Sequence, residues 1–341
     1  MSVKLADFSD QGENVNSFIS SFYTGNVPHA AIIDGPAGTG KKTLCALLCQ
    51  VLFCENRNGN EPCGRCPSCV QVAAGTHPDL IQLSREKALV KGTKPDRKSI
   101  GIDDIRELIA LTGVFTTTGK RIVCIEDSES LTVDAQNSLL KTLEEPPEGT
   151  CFILITEHPE ALLTTVVSRC RRIHLRPWSD EYIYHILLSY GIPKERCAET
   201  VIFCGGSIGK AMNMAKDDAY WDFRKYVMDS VFGLQNRSDI FPVSAAYSDK
   251  NSDFELLLDT VESILTVMMY VRSRKLSPKV VDQYPIQWKQ FAENADIKDF
   301  DKLFEQIRKA RMMRASNVNQ AAILENLLFV FMEEQSKWYR S

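Results

Sequence analysis

The chain has 341 residues, enough for two or three domains at about 150 residues each. Its 40 Lys and Arg stand against 44 Asp and Glu, a formal net charge of −4 that excludes a globally polybasic nucleic-acid binder and an acidic disordered tail. With 44% hydrophobic and 25% charged residues the composition is that of a globular protein, and the collagenous, low-complexity and disordered classes fall away.

The first residues, Met1 to Asp7, carry an early acid and no apolar core before a cleavage site, so no signal peptide is expected. Ile264 to Val271 is the most apolar stretch and falls well short of the roughly 20 residues that cross a bilayer. A cytoplasmic location is the expectation. The 11 cysteines are odd in number, and four crowd into one short segment while the rest lie scattered in apolar runs. That distribution speaks for reduced thiols and one metal site rather than a disulfide framework.

Five short apolar runs rich in β-formers predict strands: Ala30 to Asp34, Leu80 to Leu83, Arg121 to Glu126, Cys151 to Thr156 and Arg172 to Leu175. Helical patterns between them predict βαβ units and a parallel sheet covered on both faces. After Pro177 the strand signals stop. Amphipathic spacing predicts helices over 180–190, 194–204 and 207–216, then over 218–232, 254–274, 300–314 and 319–337, with a polar stretch near 235–252. Three domains are expected: an α/β phosphate-loop domain over 1–177, a small helical domain over 178–216 and an all-helical domain over 217–341.

Directly after the first strand stands Gly35-Pro36-Ala37-Gly38-Thr39-Gly40-Lys41-Lys42-Thr43, which leads into the helical run Leu44 to Leu52. Its glycines let backbone N–H groups converge on phosphate oxygens, the helix N-terminus adds its positive dipole end, and Lys41 reaches the terminal phosphates. Lys42 stands where Ser or Thr should offer a hydroxyl to Mg²⁺, and Thr43 is about 100° further round the helix. The strand Arg121 to Ile125 then ends in Glu126-Asp127, the reverse of the Asp-Glu order that binds Mg²⁺ and polarises the attacking water. Misplacements near 1 Å in such a site cost on the order of 100-fold in rate. A loop that keeps its shape and has lost hydrolysis is expected, and whether ATP or ADP still binds is left open.

Between those two elements lies Cys54-x8-Cys63-x2-Cys66-x2-Cys69, interleaved with Pro62, Gly64 and Pro67. Thiolates at this spacing predict a closed, structural zinc site, with an iron–sulfur cluster as the alternative. Cys45, Cys49, Cys124, Cys151 and Cys204 are expected in the core. Further on, the segment Asn137 to Pro147 reads as a helix stopped by Pro146-Pro147. Val167-Ser168-Arg169-Cys170-Arg171-Arg172 places basic residues just before the last strand. Lys91, Lys94, Arg97 and Lys98 form a basic stretch that reads as a solvated loop and is the candidate for contact with nucleic acid.

These motifs, in this order over about the first 216 residues, resemble the AAA+ clamp-loader subunits of bacterial DNA polymerase III, the delta-prime type most of all. The resemblance implies a hetero-pentamer with gamma/tau and delta subunits that opens a sliding clamp and places it on primed DNA. It implies that Arg169 of the Ser-Arg-Cys motif acts in trans on ATP held by a neighbour. It also places Thr156 at the first sensor position and Gly209 where a motor subunit has a sensor Arg. Lys42, Glu126-Asp127 and Gly209 all depart on parts needed for hydrolysis, whereas Arg169 is kept. The expected role is therefore a stationary subunit without activity of its own, the alternative being an active gamma/tau-type ATPase. No nucleotidyl-transfer site is visible, so polymerase activity would come by complex membership alone.

Overall fold

The structure is a computed structural model that describes residues 3–89, 97–246, 254–316 and 318–337. Among the described residues, strands β1 (Ala30–Asp34), β2 (Leu80–Leu83), β3 (Arg121–Ile125), β4 (Thr150–Thr156) and β5 (Arg171–His174) form one sheet in the order β2-β3-β4-β1-β5. Every neighbouring pair is parallel. β1, β3 and β4 are buried along their whole length: their middles are apolar on both faces, and the polar Asp34, Arg121, Thr150 and Thr156 stand at their ends. Helices α1 (Glu13–Thr24), α2 (Lys41–Phe53), α3 (Pro67–Ala73), α4 (Ile102–Thr112), α5 (Val133–Glu144) and α6 (Thr164–Val167) make the connections. One sheet face meets Ile105 and Leu108 of α4 and Ala135, Leu139 and Leu143 of α5 in a continuous core.

After β5 follow α7 (Asp180–Ser189), α8 (Lys194–Cys204), α9 (Ile208–Lys216), α10 (Asp218–Val227), α11 (Ile240–Ala246), α12 (Phe254–Arg272), α13 (Ile286–Asn294), α14 (Ile297–Ala315) and α15 (Gln320–Lys337). None of the described helices is long and apolar enough to cross a membrane. Packing divides the chain into two compact units, Met1–Ile183 with Gly205–Lys210, and Tyr184–Cys204 with Ala211–Ser341. The stretch 178–216 contributes to both.

Three local readings differ from the periodicity. The helix expected over 218–232 leaves α-geometry at Val227 and continues as a π turn over Met228–Phe232. α13 was not visible as a pattern, being a nine-residue helix whose buried Trp288, Phe291 and Ala292 give a single i, i+3, i+4 set. α11 lies inside the polar stretch, with Pro242 in its first turn where no intrahelical N–H is needed.

In the second unit, Ala198, Ile202 and Phe203 of α8 pack against the core built by α10 and α12 to α15. A buried polar group lies beside that core. Glu199 Oε2 is 2.5 Å from Arg224 NH2, and Glu199 Oε1 accepts from Gln283 Nε2 at 3.0 Å and from the Tyr284 hydroxyl at 3.3 Å. Arg224 also donates to Ser263 Oγ at 2.8 Å and to the Tyr284 oxygen at 2.9 Å. Burial raises the Glu199 pKa, and the Arg224 guanidinium opposes the rise.

Candidate functional site

All parts of the expected phosphate site meet at the carboxyl edge of the sheet, where open α/β folds place ligands. β1 ends in Asp34 and turns at Gly35 into the loop, and α2 starts at Lys41. Gly38 and Gly40 hold φ of +72° and +95°, conformations that favour glycine. Side chains are excluded at Gly38 for a second reason, since a Cβ there would sit 1.9 Å from Ser207 Oγ. Trp178 Nε1 donates to Thr39 O at 2.8 Å, and Phe8 packs edge-on to Trp178. Neither aromatic was flagged by the sequence, because both lie far from the loop along the chain.

Lys41 is 7% exposed, and its ammonium donates to the carbonyls of Gly35 at 2.7 Å and Pro36 at 2.9 Å. Glu157, one residue past β4 and absent from the expected set, lies 3.4 Å from the same ammonium. Thr156 is buried, with its hydroxyl accepting from His158 N at 3.0 Å. Gly209 is brought to the loop, its N–H donating to Gly38 O at 3.2 Å. Thr43 is exposed at the mouth of a cavity of about 280 Å³ that Lys41, Lys42, Val3, Phe8 and Ile208 also line.

Three of the departures from the hydrolytic pattern, Lys42, Glu126 and Asp127, are partners. Lys42 Nζ lies 2.6 Å from Glu126 Oε2 and 4.0 Å from Asp127 Oδ1. Simple geometry puts them there. Lys42 and Cys45 share a helix face three residues apart, Cys124 and Glu126 share a strand face two apart, and Cys45 Sγ touches Cys124 Sγ at 3.5 Å. Asp127 takes a left-handed conformation at φ +52° and meets Arg85 Nε at 3.6 Å through its other oxygen. Partial burial alone would lower the Lys42 pKa, but the carboxylates of Glu126, Asp127 and Glu86 outweigh it and hold the ammonium above the usual lysine value. Lys42 therefore stays charged at neutral pH. Behind the loop, Asp34 is buried and accepts from Arg172 at 2.8 and 3.0 Å and contacts His174 Nδ1 at 2.7 Å. Burial raises its pKa, and these hydrogen bonds overcome that effect and leave it below the usual carboxylate value.

Two segments read separately in the sequence converge. Arg169, two residues past α6, donates through Nε to Glu144 Oε1 at 2.8 Å, and through NH1 to Thr165 O at 2.9 Å. Glu144 is the last residue of α5, so the helix stopped by Pro146-Pro147 ends where it can hold the Arg169 guanidinium. The side chain of Arg169 is 33% exposed. Of the basic stretch, Arg97 forms an ion pair with Asp104 and donates to Ser84 O at 3.2 Å, while Lys98 is exposed. Lys91 and Lys94 lie outside the described residues.

The sulfurs of Cys54, Cys63, Cys66 and Cys69 all lie within 4.8 Å of one another, and the Cys54–Cys66 and Cys63–Cys69 pairs are each 4.0 Å apart. A tetrahedral ion with metal–sulfur bonds near 2.3 Å requires sulfur–sulfur edges of about 3.8 Å. The set fits. Backbone N–H groups of Cys63, Cys66 and Cys69 point at the sulfurs of Cys54, Cys63 and Cys66 at 3.3, 3.3 and 3.5 Å. Hydrogen bonds from the Arg65 and Cys66 backbone pull the Cys63 thiol down to about 6, while burial pushes the Cys69 thiol up. The cluster could hold a metal ion. Cys45, Cys49, Cys124, Cys151 and Cys204 are buried as expected.

A family described as DNA polymerase III, delta subunit matches residues 10–179. The chain is 30% identical over 240 residues to DNA polymerase III subunit delta' of Escherichia coli (strain K12), covering 70% of this chain and 69% of that protein. It is 26% identical over 318 residues to the delta' subunit of Bacillus subtilis (strain 168), covering 89% and 91%. A third similarity, 32% over 184 residues, is to DNA polymerase III subunit tau of Escherichia coli (strain K12), with 54% of this chain and 27% of that protein covered.

Proposed function

The chain belongs to the DNA polymerase III delta' family, and from that premise we propose that it is a non-hydrolysing subunit of a clamp loader. In this reading it assembles with gamma/tau and delta subunits in a cytoplasmic hetero-pentamer, which loads a sliding clamp onto primed DNA. Arg169 is donated in trans to ATP on a neighbouring subunit, where a guanidinium stabilises charge developing on the transferred phosphoryl group. Residues 178–216 act as a helical lid and 217–341 as the collar that receives the neighbours.

A single observation carries the non-hydrolysing role: the Lys42 ammonium, 2.6 Å from Glu126, stands among the carboxylates that a catalytic Mg²⁺ would need. A divalent ion placed there would face a positive charge at contact distance. Steady-state ATP hydrolysis by the isolated chain, with Mg²⁺ and primed DNA, is expected to be no higher than that of Lys41→Ala. Turnover that Lys41→Ala abolishes would establish the gamma/tau-type ATPase instead. That second reading draws on the intact loop, the buried Lys41 and the similarity to tau.

Cys54, Cys63, Cys66 and Cys69 would hold a structural Zn²⁺, which supplies cross-links and no chemistry, since four sulfurs leave no open position. Between Cys54 and Cys66 the described contacts are few and near the surface: a short turn at Asn58–Glu61, the Glu61 contact with Ala6 N at 3.0 Å and the Ser68 hydroxyl on Glu55 at 2.8 Å. Chelation under reducing conditions is expected to raise tryptic cleavage at Arg57 and Arg65 by at least about tenfold while the far-ultraviolet circular dichroism is kept. A purified chain with no bound zinc and unchanged cleavage would remove the assignment.

A further inference from the structure

The sheet carries thiols that neither the phosphate loop nor the four-cysteine cluster uses. Val123 and Ile125 of β3 face the core shared with α4 and α5, so the alternation of a strand turns Cys124 to the opposite face. There Cys124 Sγ lies 3.5 Å from Cys45 Sγ of α2, and both residues are buried. Cys49, one helical turn past Cys45, joins them at the floor of a cavity of about 330 Å³. The rim explains why the space is open. Ala46, Ala73 and Ala74 are exposed and Gly75 is half-buried, and none of the four carries more than a methyl group to cover the sulfurs.

We propose that Cys45 and Cys124 are a redox pair, which hydrogen peroxide entering this cavity closes to a disulfide. The Cys45 sulfur attacks one peroxide oxygen and the O–O bond breaks, which leaves Cys45 as a sulfenic acid and releases one water. The Cys124 sulfur then attacks the Cys45 sulfur, the S–O bond breaks and a second water leaves. Two electrons pass from the thiols to the peroxide, and both thiol protons end in the two waters. The contact with Cys124 lowers the Cys45 pKa, but Cys49 and burial outweigh it and hold the thiol well above its ordinary value. The first step is therefore slow, and the pair resists dilute oxidant. The second step is fast, because the partner sulfur is already in contact. Cys49 is on the same helix as Cys45, so a bond between those two would join no separate elements. A Cys45–Cys124 bond instead ties α2, which carries Lys42, to the strand that leads into Glu126, and so fixes their ion pair.

Exposure of the full, folded chain to millimolar hydrogen peroxide, then alkylation in denaturant and non-reducing tryptic mass spectrometry, tests this. Trypsin cuts after Lys42, Arg57, Arg121 and Lys141, so the bond joins peptides 43–57 and 122–141 with the loss of two hydrogens. Fragmentation places the bond at Cys45, since Cys49 and Cys54 lie in the same peptide. The cross-linked species is expected to be reversed by dithiothreitol, and to fall at least about tenfold when the chain is unfolded in urea before peroxide is added, because the contact is then lost. Cys49→Ala is expected to keep the bond. Cys124→Ala is expected to let the Cys45 sulfenic acid accumulate at least about tenfold above the wild type, where dimedone traps it, since the resolving thiol is gone. Circular dichroism of each variant shows that it is folded. Recovery of Cys45 and Cys124 as alkylated thiols from the folded chain after overnight exposure overturns the proposal, and so does a Cys45–Cys49 bond in its place.

Discussion

Replacing Arg169 by Ala is expected to leave the chain folded and able to assemble, and to slow ATP turnover at the neighbouring site by about 10³-fold, the lower end of what an arginine supplied in trans contributes. Folding should be spared because the side chain is 33% exposed and its ion-pair partner Glu144 is 50% exposed. Surface pairs of this kind are worth about 0–1 kcal/mol. What Glu144 and the Thr165 carbonyl do is hold the guanidinium in one orientation at the end of α5 and α6, a pre-organisation that a flexible side chain would lack. The measurement is pre-steady-state and steady-state ATPase of the reconstituted complex with primed DNA, beside size-exclusion chromatography to show that the variant assembles. Unchanged turnover in an assembled complex would end the proposal that Arg169 acts in trans.

The largest stability effect is expected at Arg224. Its guanidinium is 4% exposed and its partner Glu199 1% exposed, so Arg224→Met strands a buried carboxylate among Gln283 and Tyr284. Breaking one side of a buried pair costs about 3–5 kcal/mol. For a unit of this size that corresponds to a fall of roughly 6–20 °C in its melting transition. The double variant Glu199→Leu with Arg224→Met should recover most of the loss, because no charge is then left without a partner. A single-variant loss under about 1 kcal/mol would mean that water reaches Glu199 once the arginine is gone, and that the group is less enclosed than its burial indicates. The cost is also expected to shrink at acidic pH. Burial raises the Glu199 pKa, so a carboxyl without Arg224 protonates more readily in the folded than in the unfolded chain, and the neutral form is cheaper to bury.

Much of the first unit was legible because its signals are local. The strand over Ala30–Asp34 is four small and branched apolar residues in a row ending in an Asp, and the loop after it is a contiguous motif whose glycines take positive φ. The cysteine cluster was legible for the same reason, since all four cysteines fall within sixteen residues from Cys54 to Cys69. Glu157 and Trp178 were missed because a residue that reaches the loop from another strand end, or from beyond β5, carries no mark of it in its neighbours along the chain. α13 was missed because one buried set of three side chains is too short to establish a period. Texture along 178–216 does not report that Ala198, Ile202 and Phe203 of α8 pack against the second unit's core while Ser207 lies against Gly38.

The sequence by itself determined the five strands, the parallel sheet, the phosphate-loop motif, the thiol cluster and the pattern of departures at Lys42, Glu126, Asp127 and Gly209. Those follow from side-chain periodicity and from spacings of a few residues, which local covalent geometry converts directly into position. Only the tertiary structure decided that Lys42 belongs with Glu126 and Asp127. Lys42 and Glu126 are 84 positions apart in the chain, and they meet because Cys45 on α2 packs against Cys124 on β3. The same holds for Arg169 and Glu144, which are 25 positions apart and share an ion pair at the ends of two helices. Contacts of that kind are set by how whole elements pack, and packing depends on the total burial of each face rather than on the residues that the packing brings together.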